Sequence, residues 1–263
     1  MRLRAKAELT YSFAEPTQII GLLHAAKSPD QLLLSEVLEV SPDTPVSVDE
    51  GLSGDRRFRA CFTGEVSVAY QAEVENNARQ LLPVAGRQHV WGELPVEVLP
   101  YLLPSRFCPS DQFQRFSQRE FGAAGDGVAR VMAILDWINR HVDYVHGVST
   151  AESTAAHTFT VRAGVCRDFT HLGITLCRAL SIPARAVSAY AFELDPPDFH
   201  AVMEVYLEND WWLIDTTRLA PVEGLVRIAH GRDAADIAFL TTDKPCQLIN
   251  QTVQVERLKE SAP

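Results

Sequence analysis

The first hundred residues alternate between apolar and polar positions, which is the period of a half-buried β-strand. Positions 3, 5, 7, 9, 11 and 13 are apolar with polar residues between them, and residues 31–40 form a second candidate strand. Segments 58–62 and 66–74 are separated by Thr63-Gly64, a pair typical of a turn. We therefore expect a hairpin over residues 58–74, within a β-rich N-terminal domain at residues 1–100.

Helical periodicity begins after a proline-rich stretch at residues 83–109, which predicts a connection between domains. A short helix is expected over residues 111–121. Apolar side chains at 128, 131, 135, 138 and 142 predict a second helix, with Asp126 as its cap. The polar residues 144–157 predict a loop. We place the second domain at residues 101–263.

A third helix is predicted over residues 165–180, followed by strands at 185–193, 200–207 and 211–217. The polar residues 208–210 predict an antiparallel hairpin between the last two strands, and residues 247–255 can add another strand. The fold class is therefore α+β, with a helix packed on an antiparallel β-sheet and a β-rich domain before it.

Composition narrows the class of protein. Of 263 residues, 46% are hydrophobic and 22% are charged, as in ordinary globular proteins, and the formal net charge of −10 argues against binding to nucleic acid or to an anionic membrane. No apolar run approaches the ~20 residues of a spanning helix. The N-terminus alternates in polarity, unlike a signal peptide, so we expect a cytoplasmic protein.

Cysteine usage agrees with a reducing compartment. The five cysteines are scattered, odd in number and lack a CxxC pair. This argues against a disulfide framework and against a structural zinc site. We therefore expect reduced thiols.

Cys166 stands where a glycine turn becomes the third helix, Gly164-Val165-Cys166. The free N–H groups and the positive end of a helix favour a thiolate at that position. Cys177, in the interior of the same helix, is expected to be a buried, inert thiol. The alternative for Cys166 is a small residue that fills the core.

His200 begins a predicted strand, and Asp215 is flanked by apolar residues on the next one, where an unpaired carboxylate would be costly. A four-residue connection, 207–210, places Asp215 opposite Val202, on the face of His200 and about 7–8 Å away diagonally. A three-residue connection would instead place it opposite Met203, on the other face. Taken singly, His200 could be a surface histidine and Asp215 a turn aspartate. In the order Cys, His, Asp they predict a cysteine nucleophile with its base and orienting acid.

These segments resemble the transglutaminase-like superfamily, in particular bacterial members described as cysteine proteases. The resemblance covers about residues 100–240 and is most specific at the cysteine motif; the matching segments are 103–108, 164–172, 178–185, 200–206 and 212–217. It implies a papain-like α+β core with Cys166 as nucleophile, His200 as base and Asp215 as the orienting residue. Val202 departs from the tryptophan that many relatives carry there.

The expected activity is acyl transfer from an amide bond of a peptide or protein through a thioester, with water favoured over an amine as acceptor. We expect no metal or organic cofactor. The backbone N–H of Cys166 is the expected oxyanion donor, with Tyr144 or His157 as side-chain candidates. Asp168 is expected to bind its own turn. His171, five residues after the nucleophile, is expected to be a buried, hydrogen-bonded histidine.

Three alternatives stay open at this point. A transglutaminase would pass the acyl group to an amine. The trio Cys166, His200 and Asp215 is also an acceptable set of zinc ligands. A non-catalytic, peptide-binding scaffold could keep the fold, although it would not need all three residues. The sequence leaves the oligomeric state open.

Overall fold

The computed structural model describes residues 1–51, 54–76 and 78–259, which form twelve strands and four α-helices joined by loops and short 3-10 turns. The strands are β1 (Arg2–Gly21), β2 (Leu32–Ser41), β3 (Ser47–Glu50), β4 (Arg56–Glu75), β5 (Asp143–Tyr144), β6 (Ala163–Gly164), β7 (Ala184–Ala191), β8 (Phe199–Leu207), β9 (Asp210–Ile214), β10 (Leu225–Gly231), β11 (Leu240–Thr242) and β12 (Gln247–Arg257). The helices are α1 (Gln114–Phe121), α2 (Val128–His141), α3 (Ala155–Val161) and α4 (Cys166–Ala179).

The N-terminal sheet is built on the long antiparallel pair β1 and β4. β2 and β3 pair with β4, while β11 and β12, from the end of the chain, pair with β1. Alternate side chains of β1 and β4 are buried, as the apolar period predicts. The β-rich N-terminal region is confirmed. Its division from the second domain at residue 100 stays a prediction, and this sheet draws strands from both ends of the chain.

The predicted hairpin over residues 58–74 is wrong, because β4 runs through it without reversing. Gly64 lies opposite Phe13, and the next pair is Phe62 with Thr17, so β1 carries extra residues at this point. Gly64 has a φ of +73°, which glycine adopts at little cost. Thr63-Gly64 therefore accommodates a bulge between two long strands and does not form a turn.

The second sheet is antiparallel, in the order β10-β7-β8-β9, and α4 packs against β7 and β8. The other three helices pack on α4, which therefore lies in the centre of the core. A Cβ on Gly173 would come within 2.8 Å of Met203 Sδ, so glycine allows α4 to approach β8 without displacing the Met203 side chain. The α+β class is confirmed. The predicted loop at 144–157 is shorter than expected, since α3 already begins at Ala155.

The two sheets share one hydrophobic core. A continuous cluster of buried side chains includes residues of β1, β4, α2, α4 and β8. Tyr190 on β7 donates a hydrogen bond of 2.6 Å to the carbonyl of Leu23, and its ring stacks on Tyr70 of β4. In the described part of the chain, each helix is too short or too polar to cross a membrane.

Candidate active site

The turn before α4 holds Cys166 as the first residue of the helix. Asp168 Oδ2 accepts the Val165 N–H at 2.8 Å and the Ser149 hydroxyl at 2.6 Å. A Cβ on Gly164 would lie 2.5 Å from the Cβ of Asp168, so only glycine allows this packing. The expectation that Asp168 binds its own turn is confirmed. Asp168 therefore holds the turn that leads directly into Cys166.

The β8–β9 hairpin sets the position of Asp215. Tyr206 pairs with Trp211 and Met203 with Ile214, so the next step of the register places Asp215 opposite Val202. Glu208 and Asn209 form the turn, both with positive φ, at 52° and 64°. Two consecutive positive φ values are typical of the type I′ turn, which matches the twist of a tight hairpin. The register predicted from a 207–210 connection is confirmed. The strand itself ends at Ile214, before the predicted limit of 217.

His200 and Asp215 form a buried ion pair, with Nε2 3.0 Å from Oδ2. The remaining capacity of the carboxylate is filled by the loop that follows it. Thr217 donates its N–H at 2.9 Å and its hydroxyl at 2.7 Å to Oδ1, and the N–H groups of Leu219 and Ala220 donate to Oδ2 at 3.0 and 2.9 Å. Asp215 therefore has all the hydrogen bonds that a buried carboxylate requires.

The electrostatics favour the charged forms of both residues. Burial opposes a charge on His200, but the hydrogen bonds and negative charges of Asp215 and Cys166 outweigh it and raise the pKa of His200 to about 9. Burial likewise raises the pKa of Asp215, but the hydrogen bonds from His200 and Thr217 outweigh it, so the net shift is downward. His200 is therefore an imidazolium and Asp215 a carboxylate at neutral pH.

Cys166 lies near enough to His200 to contribute to its raised pKa. Nε2 of His200 is engaged by Asp215, and no described residue forms a hydrogen bond with the buried Nδ1. Thr170 on α4 donates to the carbonyl of Ala201 on β8 at 2.9 Å, which fixes the helix against the strand one residue after the histidine. The structure thus brings the three predicted residues together from a helix, a strand and the loop after a strand.

Cys166 is partly exposed and lines a small cleft of about 120 Å³, which also contains Tyr144, Asp195, Asp198 and Leu219. The parallel pairing of β5 with β6 places Tyr144 beside Gly164. Burial and the nearby Cys166 raise the pKa of Tyr144 to about 12, so its hydroxyl keeps its proton.

His157, the other side-chain candidate for an oxyanion donor, lies exposed on α3 and outside the described lining of the cleft. The acidic residues Asp195 and Asp198 at the cleft were missed by sequence reasoning. They lie in an irregular loop whose position depends on tertiary contacts.

The other thiols and the second histidine of this region lie in different environments. Burial raises the pKa values of Cys108 and Cys177 to about 12, which keeps both protonated. His171 stacks on Phe107 and accepts the Ala234 N–H at 3.2 Å, and burial lowers its pKa to about 4. The predictions of a buried Cys177 and of a buried, hydrogen-bonded His171 are confirmed. Across residues 1–51, 54–76 and 78–259, the His, Cys, Asp and Glu side chains form no cluster of three or more suited to a metal ion.

Comparison with known proteins agrees with this architecture. The family model of the transglutaminase-like superfamily matches residues 114–216. The crystal structure of a putative cysteine protease from Cytophaga hutchinsonii is 39% identical and superposes with a TM-score of 0.92, covering 100% of this chain and 92% of that one. The fold is that of a transglutaminase-like protein. This chain belongs to the transglutaminase-like superfamily.

Two further relatives are more distant. An uncharacterized protein of Mycobacterium leprae (strain TN) is 30% identical over 122 residues, which is 42% of this chain and 42% of that protein, so the match spans less than half of that relative. The periplasmic domain of TgpA from Pseudomonas aeruginosa is 15% identical with a TM-score of 0.46, over 83% of this chain and 91% of that one.

Proposed function

We propose that this chain is a cysteine hydrolase that cleaves an amide bond of a peptide or protein, with Cys166 as nucleophile, His200 as acid and base, and Asp215 as the residue that orients the imidazole. One observation carries the proposal: a buried His200–Asp215 ion pair stands beside a partly exposed cysteine at a helix N-terminus. A similar combination activates thiols in unrelated folds by holding a thiolate next to an imidazolium.

The reaction divides into two steps. The Cys166 thiolate attacks the amide carbonyl carbon, and the C–N bond breaks while the His200 imidazolium gives its proton to the leaving amine. A thioester remains on Cys166. His200 then takes a proton from water, the resulting hydroxide attacks the thioester, and the C–S bond breaks to release a carboxylic acid. Asp215 stabilises the imidazolium and keeps Nδ1 free for the sulfur.

We assign two donors to the oxyanion. The backbone N–H of Cys166 lies in the first turn of α4 and interacts with the Tyr144 hydroxyl, so both donors lie together beside the sulfur. The Tyr144 hydroxyl is the side-chain donor, because Tyr144 lines the cleft with Cys166 and keeps its proton. Such donors act on the charge that develops in the transition state, where their effect is largest.

The size of the cleft supports an extended substrate and water as acceptor. Its volume of about 120 Å³ is smaller than the ~300 Å³ at which cavities begin to enclose whole drug-sized molecules. A single side chain or a short run of extended backbone fits such a space. Water enters it readily, whereas a long amine would need a path beside the bound acyl group.

The test is a screen of peptide and glutamine-donor libraries, with a dansylated primary amine present and mass spectrometry as readout. We expect hydrolysed products with the wild-type protein and none with Cys166→Ala. Products that carry the dansyl amine in place of the acid would establish transglutaminase activity instead. A peptide that binds both the wild type and Cys166→Ala, and that neither protein converts, would favour a peptide-binding scaffold.

A further inference from the structure

A second cavity, of about 390 Å³, lies between loop residues of the N-terminal region and the four-stranded core sheet. Its volume falls in the range of ~300–1,000 Å³ typical of ligand sites. Its described lining shares no residue with the cleft at Cys166. Loop residues 26–30, 78 and 80 form one wall, and β7, β8, β9 and β10 supply the other.

The floor of this cavity is a buried ion network with unequal charges. Glu204 accepts Arg185 Nε at 2.5 Å and Arg227 Nη2 at 2.7 Å. Asp30 accepts Arg227 as well, and Arg79 Nε at 2.9 Å. The arginines hold the pKa of Glu204 at about 2 and lower the pKa of Asp30, so both carboxylates are charged at neutral pH. Within this network three guanidinium groups face two carboxylates, and the third carboxylate of the lining, Asp210, is exposed and has no hydrogen bond to an arginine among the described residues.

Arg185 is the member of the network whose donors remain available. Its Nε binds Glu204, but neither of its η nitrogens has a hydrogen-bond partner among the described residues. Its guanidinium lies over the ring of Trp211, 4.0 Å from the centroid. A stacked guanidinium with two free N–H groups is the geometry that binds a carboxylate in a bidentate manner.

The charges at the rim do not supply a partner for Arg185. Lys27 is paired with Glu50 at 2.6 Å. Asp210 is exposed and accepts the N–H of Trp211 at 2.7 Å, within its own strand. Among the described residues, Glu204 is the carboxylate that pairs with Arg185. The η nitrogens of Arg185 can therefore bind an added anion.

The remaining walls suit an apolar body. Trp211 and Leu213, which lie on the same face of β9 as Arg185 and Glu204 on their strands, line the cavity, and so does Pro29 from the N-terminal loop. His230 also lines it, and burial together with the charge of Arg185 lowers the pKa of His230 to about 4. A neutral imidazole can donate to, or accept from, a polar group of the ligand.

We propose that this cavity binds a carboxylate carried on an apolar or aromatic body, with the carboxylate on the η nitrogens of Arg185 and the body against Trp211 and Leu213. The site is independent of the chemistry at Cys166. Two sources share this ligand chemistry: a free organic acid, and the C-terminal end of a peptide.

Isothermal titration calorimetry on the full chain tests the site, with the Cys166→Ala background preventing turnover. The probes are N-acetyl-phenylalanine and acetyl-Ala-Ala-Ala-Phe, each compared with its own C-terminal amide. We expect one or both acids to bind at least about tenfold more tightly than the matching amide, as for a hydrogen-bonded charge. Preference for the shorter acid identifies a free organic acid, and preference for the longer one identifies a peptide end.

Variants locate the binding. Arg185→Gln should abolish the difference between acid and amide, and Arg185→Lys should weaken acid binding several-fold while keeping the charge. The control is Arg232→Gln, which breaks an exposed ion pair with Asp236 elsewhere and should change nothing. If Arg185→Gln does not fold, as judged by circular dichroism, Trp211→Leu takes its place. This variant should lower the affinity for both acids. Equal affinity for acid and amide, no binding of either acid, or unchanged binding in the variants would overturn the proposal.

Discussion

His200 Nε2 lies 3.0 Å from Asp215 Oδ2, and both side chains are buried. Because the loop after Asp215 supplies the other donors, the carboxylate is held in place before any substrate arrives. Its oxygen engages Nε2 of the ring, so Nδ1 is the nitrogen that remains for the proposed proton exchange with Cys166. This pair is the part of the site whose disturbance should have the clearest consequences.

Asp215→Asn should lower kcat/KM by about 10²–10⁴-fold, because the amide neither stabilises the imidazolium nor fixes the ring as a carboxylate does. The pKa of His200, measured by NMR, should fall from its raised value. Hydrolysis of a substrate found in the library screen gives the rate. Asp43→Asn, at an exposed loop position, is the matched control and should match wild type. Near-normal activity in folded Asp215→Asn would exclude the assigned role.

Activity should decline as the pH rises through about 9, where His200 loses the proton that it must give to the leaving amine. The pKa of His200 in Cys166→Ala should lie below that of wild type, since Cys166 is one of the groups that raise it. A profile of kcat/KM against pH and an NMR titration of both proteins measure these two effects. A rate that keeps rising beyond pH 10 would contradict the role of the imidazolium.

The free energy of unfolding should depend on the same protonation of His200. A histidine pKa raised on folding stabilises the native state fully below the unfolded value of about 6.5, and this contribution is lost as the pH rises to about 9. We expect a loss of about 1–3 kcal/mol between these limits, measured by urea unfolding. His200→Gln should show a smaller change over the same range. An equal slope in both proteins would assign the effect to other groups.

Tyr144→Phe should lower kcat by about 10²-fold with little change in KM, because the hydroxyl is proposed to act on the oxyanion and not on the bound substrate. Steady-state kinetics separate the two constants. The ring still packs on Phe169 in this variant, so folding should be retained. A change confined to KM would show that Tyr144 contacts the substrate without a part in the chemistry.

Gly164→Ala should disturb the site through the turn. Its Cβ would meet Asp168 at 2.5 Å, so the bond from Asp168 to the Val165 N–H must shift and Cys166 with it. We expect at least about a tenfold loss of activity and a cost of about 1–3 kcal/mol in stability. Gly92→Ala is the matched control, since its Cβ would have no atom within 4 Å. Equal effects of the two changes would show that the turn does not position the thiol.

Local patterns predicted the parts of this site that depend on short-range chemistry. The apolar stripe and the glycine turn placed Cys166 at the start of α4, and the length of the 207–210 connection predicted the register of Asp215. The same kind of argument was wrong at Thr63-Gly64, where a turn signal proved to be a bulge whose cause lies on the partner strand β1. A bulge can be predicted only when the pairing of both strands is known, and the sequence of one strand does not give that pairing.

Features that depend on distant contacts were predicted only in part. The sequence offered Tyr144 and His157 as equal candidates, and Tyr144 lies at the cleft because β5 pairs in parallel with β6; each of these strands has only two residues, too few for a periodic signal. The ion network of Arg185, Glu204 and Arg227 joins strands whose order in the sheet had to be known first. The η nitrogens of Arg185 stay available because Glu204 binds Nε and the guanidinium lies over the ring of Trp211.

The most direct test of the account is the rate at which each cysteine reacts with limiting iodoacetamide at pH 6, followed by peptide mass mapping. Cys61 is more exposed than Cys166 and serves as an internal control within the same chain. We expect Cys166 to be labelled first, and His200→Ala to slow its labelling sharply while leaving the labelling of Cys61 unchanged. Labelling in order of exposure, with Cys61 ahead of Cys166 and no effect of His200→Ala, would contradict it.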